Sequence, residues 1–277
     1  MMTTGRGKTP SAPADPTVWP HPSQGLKVSI LTSLLLSPVW AAADWPDFDR
    51  PGILFAPSVL PVGVWSLELG LPEFSRTTSG DVRLLESELH SLFRYGLTTH
   101  WEVQFEMAPW VRERVKTDQA TTTRTGYSDA RVALRHDASA TMAATFAADA
   151  VALQAGVTLN MGHADFRASR NTVDLGIVAS WALPADGHGV DAMLQWEGTS
   201  SESSWFLATT YGAPINGNLS AFVEAGAWFG DKQASIAGFG LIWRATAGFQ
   251  IDSYMLTRLS GETADMQMGL GVSWLFL

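Results

Sequence analysis

Over most of this chain apolar residues fall at every second position, and the positions between them carry charge. Trp101, Val103, Phe105 and Met107 alternate with His100, Glu102, Gln104 and Glu106 over 100–107. Successive side chains of a strand point to opposite faces, so this is a strand with one greasy and one ionic side. Trp65, Leu67, Leu69 and Leu71 alternate with Ser66, Glu68 and Gly70 over 64–71. Over 82–94, Leu85, Leu89 and Phe93 oppose Glu86, Glu88, His90 and Arg94. No apolar run after residue 43 approaches 18 residues, so any membrane span beyond that point is a strand, which needs about 9–11 residues.

The pattern continues near 127–135, 147–160, 172–183, 190–197, 204–212, 219–229, 234–244, 249–259 and 266–276. That makes twelve strands, an even number, as a barrel with both chain ends on one side requires. The expected fold is all-β: a transmembrane antiparallel up-and-down β-barrel of about 12 strands, occupying 62–277. Tyr95–Thr98, Pro184–Gly189, Pro214–Asn218 and Ala245–Gly248 are short and read as periplasmic turns, and the polar 108–126 connection reads as a long extracellular loop. Ala138–Ala155 is alanine-rich and helical by propensity. A strand is expected in its second half, where Leu153, Val157 and Leu159 alternate with Gln154, Thr158 and Asn160. The last strand sets Leu270, Val272, Trp274 and Phe276 against Gly269, Gly271 and Ser273. Such an ending, with Phe276 as its aromatic, is expected to engage the barrel-assembly machinery.

A soluble β-sandwich shares the alternation but needs a second sheet to cover its apolar face. Tryptophan decides between them. The chain has 12 Trp against 4 Tyr, and Trp favours the membrane–water boundary. Trp101, Trp181, Trp243, Trp274 and Phe276 fall at predicted periplasmic strand ends; Trp196 and Trp205, with Trp110, fall at extracellular ends. They form two aromatic girdles. The opposite face then lines a lumen holding Glu68, Glu86, Glu88, Arg94, Glu102, Glu106, Arg131, Arg135, Glu224, Asp252 and Arg258, with Asp129, Asp174 and Asp191. Acids and arginines in one bore set up a transverse field that filters solutes by charge and dipole. The same ions, paired with one another, would equally fill a closed interior.

Residues 1–43 read as a signal peptide: Lys27, the apolar run Val28–Trp40 and small residues Ala41–Ala43 before Asp44. The lead 1–25 is long for such a segment, and initiation at Leu26 would give a compact one. The expected location is therefore the bacterial outer membrane, with the lipid bilayer and lipopolysaccharide as surroundings. Residues 44–61 contain Pro46, Pro51, Pro57 and Pro61 and cannot form a central strand. They make either a periplasmic tail or a lumen plug, and Trp45, Phe48, Ile53 and Phe55 favour burial.

Composition narrows the chemistry. Cysteine is absent, which removes disulfides and thiolate metal sites. The chain carries 18 basic and 27 acidic residues; without Arg6, Lys8, Lys27 and Asp15 of the leader its net charge moves from −9 to −11. That argues against nucleic acid as a partner. His90 and Ser91 are adjacent and point to opposite faces, and no His-x-Ser pair occurs after residue 43, so an enzyme that modifies lipids is the remote alternative. His163 and Asp165 form an isolated pair in a predicted loop, short of a metal site. No cofactor is expected. Arg112, Arg114, Lys116 and Arg124 cluster in the 108–126 connection, where they would meet lipopolysaccharide phosphates or simply be solvated.

Several runs resemble a known family. They are Asp49-Arg50-Pro51-Gly52, Leu60-Pro61-Val62-Gly63, Leu67-Glu68-Leu69-Gly70 and, most specific, Phe93-Arg94-Tyr95-Gly96-Leu97-Thr98 followed by Trp101-Glu102-Val103. Gly126-Tyr127-Ser128-Asp129, Val223-Glu224-Ala225-Gly226 and Ile251-Asp252 continue it. On these the chain, over about 49–277, resembles the outer-membrane barrels of the MetA pathway of phenol degradation. It departs at Leu159-Asn160-Met161-Gly162, where a Pro-Thr-Gly turn is usual, and in adding Leu277 after Phe276. The resemblance implies an outer-membrane channel passing small aromatic or hydrophobic compounds; the alternative is a non-conducting structural or partner-binding barrel.

Overall fold

The computed structural model describes residues 46–277. The expected signal peptide 1–43, the alternative start at Leu26 and Trp45 lie outside the described residues. Strands are β1 (Trp65–Ser79), β2 (Val82–Gly96), β3 (Trp101–Lys116), β4 (Thr121–Gly126), β5 (Ala130–Asp137), β6 (Ala150–Leu159), β7 (Thr172–Ala182), β8 (Gly189–Gly198), β9 (Ser203–Pro214), β10 (Leu219–Gly230), β11 (Ala234–Thr246), β12 (Phe249–Gly261) and β13 (Met266–Phe276). Each pairs antiparallel with its neighbours, and β1 pairs with both β2 and β13, so the sheet closes. The distal half of β3 pairs with β4 and its other half with β5. β4 and β5 are therefore successive pieces of one stave, and the barrel has twelve staves. We call the end where β1 begins and β13 ends proximal, and the opposite end distal.

The wall faces apolar surroundings. Phe105, Leu134, Leu175, Leu207, Val223, Phe239 and Leu270 come from seven different staves and are 44% to 58% exposed. A belt of this size is a liability in water and the normal surface of a membrane barrel. Inside, the residues expected on the polar face are covered: Glu68, Arg94, Glu102 and Arg135 are fully buried.

Three stretches differ from the sequence expectation. β1 runs on to Ser79 rather than stopping near 71, because its register shifts between Gly70 and Glu73, across Pro72. The bulge adds a residue and swaps the faces, so a strict two-residue period ends there although the strand does not. The 108–126 connection is not a loop: 101–116 is one continuous β3, followed by a short turn and β4. Threonine and valine favour strands, but this hairpin is polar on both sides, which hid it from a search for apolar alternation. Third, the alanine-rich run divides. Ser139–Phe146 forms a helix, α1, and the strand starts at Ala150 rather than 147. Helix α1 lies against the outer wall at the proximal end. Met142 and Ala143 pack against a buried cluster of Ala138, Val151 and Ala179, and the Trp181 indole N–H donates to the Phe146 carbonyl at 3.2 Å.

β1, β2 and β3 have 15, 15 and 16 residues, whereas β6 to β8 have 10 or 11. At 3.3 Å per residue these strands are longer than β6 to β8 by roughly 15 Å, so this corner projects distally relative to them.

Candidate functional site

The segment preceding β1 runs inside the ring of strands. Prolines at 46, 51, 57 and 61 deny it a ladder of its own, so its backbone groups turn to luminal side chains. The Arg50 amide donates to Glu68 at 2.8 Å, Ile53 to Glu224 at 2.9 Å and Leu60 to Glu102 at 2.8 Å. Within the segment, Ala56 donates to Asp49 Oδ1 at 2.8 Å and Asp47 to the Ser58 hydroxyl at 3.3 Å, which close it into a loop with its apex near Gly52 and Ile53.

Two arginines of the wall clasp this loop. Arg135 binds Asp49 through both terminal nitrogens, at 2.5 and 2.8 Å, and its other donors reach Gln154 Oε1. Arg94 forms a two-pronged pair with Glu102 at 2.8 and 3.0 Å, reaches Glu68 at 3.1 Å and donates to the Asp47 carbonyl at 2.9 Å. Forked arginine–carboxylate pairs are the strong, directional kind. On the loop itself, Arg50 pairs with Glu73 and with Asp252 (3.2 Å), while its carbonyl accepts from Gln250 at 3.0 Å. Burial by itself would raise the Asp49 carboxyl, but the Arg135 and Arg94 guanidiniums outweigh it and hold that group well below the usual carboxylate range. Burial opposes the charge on Arg50, and Glu73 and Asp252 more than restore it, leaving its affinity for the proton raised.

Small inward residues make the seats. A Cβ on Gly271 would run into the Arg50 guanidinium. One on Gly176 would meet the Phe55 ring at 2.7 Å, and one on Gly226 the Phe206 ring at 2.5 Å. The Arg135 guanidinium lies over the Phe55 ring at 5.0 Å. Phe55, Met193, Phe206, Ala208, Ile236 and Leu256 form an apolar cluster inside the barrel, so the loop is held by grease as well as by charge.

The expected luminal set is thus placed inside, in three groups. Glu68, Arg94, Glu102, Arg135, Glu224 and Asp252 contact the loop. Glu106 and Arg131 lie above it with Asp174: Arg131 binds Asp174 at 2.6 and 2.9 Å and Glu106 at 3.2 Å, and His90 Nε2 meets Glu106 at 2.8 Å. Glu86 and Glu88 are further out, in register with Glu113 and with Glu73 respectively. Arg258 stands apart from these groups. It pairs with Asp265 of the β12–β13 connection at 2.5 Å and braces the distal rim.

The girdle residues all point outward. Trp101, Trp181, Trp243, Trp274 and Phe276 sit at the proximal end, where Trp101 stacks on His136 at 4.4 Å and Trp274 meets Phe249 edge-on at 5.2 Å. Trp196 and Trp205 are direct cross-strand partners at the distal end. Trp65 was not expected there but belongs with the proximal set, packed on Phe93 and Tyr95 at 4.8 and 4.1 Å.

Sequence reasoning missed the inward aromatics. Phe206 and Trp228 stack at 4.2 Å and 24° on the luminal face, with the Lys232 ammonium 3.8 Å from the Trp228 ring. Their signal was a large ring on the small-residue parity, with Gly226 on that same face of β10. Asp49 and Arg50 were also missed as contacts, because a proline-rich segment has no periodicity to assign its side chains. His163 and Asp165 face each other at 3.6 Å, and no group of three metal-ligating side chains occurs among the described residues.

Two cavities lie between the loop and the distal opening. One, of about 460 Å³, is bounded by Arg50–Phe55, His90, Glu106 and Tyr254. The other, about 810 Å³, is bounded by Phe206, Trp228 and the distal loops. They share Ile53, Thr172, Gln195 and Glu197 in their walls.

Solved structures share this architecture. The chain is similar to the COG4313 outer membrane channel from Pseudomonas putida F1, with a TM-score of 0.63 and 17% identity over 82% of this chain and 99% of that one. It is also similar to the translocator domain of the autotransporter NalP from Neisseria meningitidis (TM-score 0.53, 12% identity, 83% and 91% covered) and to the KdgM porin (TM-score 0.50, 9% identity, 76% and 99% covered). At these identities the likeness is one of fold. No curated protein matches the chain by sequence. The family described as "Putative MetA-pathway of phenol degradation" matches over residues 48–276, nearly all of the described chain. The chain belongs to that family.

Proposed function

We propose that this protein is an outer-membrane channel for passive entry of small solutes, with residues 46–61 as a plug that gates the lumen. In this reading the leader exports the chain, the proximal end faces the periplasm and the distal end faces the medium. The observation that carries it is the pair of cavities that lead from the distal opening down to the apex of the loop at Ile53. A barrel built only as a wall has no use for a funnel, whereas a channel needs one. The loop below the funnel is held by side-chain contacts rather than a shared ladder, and such contacts can release without tearing a strand from the sheet.

The funnel suits small aromatic solutes. The stacked Phe206 and Trp228 and the Ile53 tip offer a ring-sized apolar ledge amid polar walls, and planar π-systems stack there at little cost in ordering. Glu68, Arg94, Glu102 and Arg135 act in this reading as the latch, and Glu86, Glu88, Glu106 and Arg131 as the charged filter above it. The likeness in fold to an outer membrane channel and a porin accords with it.

The test is conductance in planar bilayers. The intact chain is expected to pass current in small or brief steps, and a chain lacking residues 46–60 in large, stable ones. If both are silent, the barrel is a non-conducting structural or partner-binding element and the channel reading fails. Uptake of labelled benzoate and toluene into proteoliposomes, against sugars of equal size, tests the solute class. Equal rates for all would remove the aromatic preference.

A further inference from the structure

The projecting corner of β1, β2 and β3 carries a second site, on the outer wall. Three cross-strand rows lie there in register and face outward. The first runs Thr78, Arg83, Lys116; the second Met266, Arg76, Leu85, Arg114; the third Met268, Phe74, Ser87, Arg112. Five cations are thus gathered on one small face of an acidic chain. None of them forms an ion pair within 4 Å among the described residues, whereas Arg50, Arg94, Arg124, Arg131, Arg135, Arg244 and Arg258 all do. Arg124, grouped with this cluster by sequence, faces Glu113 on the inner side instead. A groove of about 310 Å³ runs between the second and third rows. Its floor is apolar, with Phe74 48%, Leu85 37% and Met268 37% exposed; its rim is Arg76, Arg112 and Arg114, and Ser75, Ser87 and one acidic residue, Glu86, also line it.

Position completes the argument. Toward the proximal end the same outward face of these staves presents Leu89, Phe93, Phe105 and Val103, the residues of the lipid-facing belt. The groove therefore sits where the hydrocarbon zone gives way to headgroups. Arginine forks suit phosphate oxygens. Arg76 and Arg114 flank Leu85 from either neighbouring strand, so they stand two strand spacings apart, roughly 10 Å, and can each take a phosphate of one headgroup. Apolar side chains below them take acyl chains. We propose that this face binds lipopolysaccharide of the outer leaflet, the arginines holding the phosphates of its lipid A and Phe74, Met266 and Met268 holding an acyl chain. Charge complementarity selects this occupant, since five unpaired cations beside an acyl-lined floor match a lipid with several phosphates better than one with a single phosphate. The proposal rests on the membrane orientation given above and not on conduction.

Native mass spectrometry of the full-length protein, purified in detergent and mixed with Kdo2-lipid A, tests it. The intact protein is expected to retain a lipid A adduct. The variant R76A/R112A/R114A is expected to lose it by at least about tenfold in affinity, as removal of several charge-assisted contacts requires. A charge-matched control, R124A/R167A/R170A, is expected to bind as the intact protein does. Heat-modifiable mobility on gels checks that each variant is a closed barrel. Monophosphoryl lipid A is expected to bind more weakly than the diphosphorylated form. Equal retention by both triple variants, or equal binding of phosphatidylglycerol or inorganic phosphate, would overturn the proposal. A silent barrel that still binds lipid A refutes the channel and leaves this site standing; a conducting one that does not bind it does the reverse.

Discussion

At the scale of single residues, the proposed gate makes the Asp49–Arg135 clasp the contact that keeps the lumen segment docked. Replacing Asp49 with Ala leaves the fully buried Arg135 without its forked carboxylate partner, holding only Gln154, a long bond to the Ser58 carbonyl at 3.4 Å and Glu102 at 3.7 Å. Losing one partner of a buried pair costs about 3 kcal/mol at the lower end of its usual range, so the ratio of docked to undocked loop should fall on the order of a hundredfold. Single-channel recordings of Asp49→Ala should show long openings; unchanged gating would show that the clasp is not what holds the loop. Acidity acts through the same carboxyl. Its folded-state value lies below the ordinary 3.8, so the stabilisation is complete above about pH 4 and is lost only as pH falls through the depressed value. Recordings between pH 7 and pH 4 should therefore look alike, with new openings only in stronger acid. Openings that set in near pH 6 would mean another group governs the loop. Gly271 gives a steric counterpart. Any side chain there meets the Arg50 guanidinium, and Gly271→Leu should expose the 46–61 segment to added protease while the barrel keeps its heat-modifiable mobility.

At the scale of elements, alternation made most staves legible, because a wall between lipid and an ionic lumen must read apolar–polar with period two. It failed where the physics changes. The bulge at Pro72 exchanges the two faces, and the hairpin of β3 and β4 extends past the hydrocarbon zone, where its outward face is cationic rather than greasy. Helix α1 was signalled only by its alanines, and nothing in its sequence says that it packs outside the barrel. It covers Val151, Ala179 and Trp181 at the proximal edge. Met142→Asp would place a charge against that apolar contact. The expected result is a barrel that unfolds at lower temperature on heated gels, by about 1–3 kcal/mol of lost packing, with conductance unchanged.

At the scale of the whole molecule, charge is sorted by side and by end. Among the described residues Glu197, Glu202, Asp231 and Glu262 border the outer funnel, with Lys232 as its one cation, whereas Arg76, Arg112 and Arg114 lie on the outer wall. An acidic vestibule raises the local concentration of cations. In a KCl gradient, the chain lacking residues 46–60 should therefore show a reversal potential displaced toward that of potassium. Displacement toward chloride would mean that Arg131 and Lys232, not the carboxylates, dominate the bore.

The chain by itself determined that this is a closed transmembrane barrel, that its ionic face turns inward and that tryptophan marks both rims. Each of those properties is written in local period and parity, which a strand cannot disguise. Only the tertiary structure decided which ions meet. Asp49 lies 86 residues from Arg135, and Arg50 lies 202 from Asp252; no local pattern joins them, because closure of the barrel and entry of an aperiodic segment bring them together. The same holds for the cations on the outer wall. Arg76, Arg83 and Arg114 come from three strands with different surroundings in sequence, and cross-strand register alone makes them one surface.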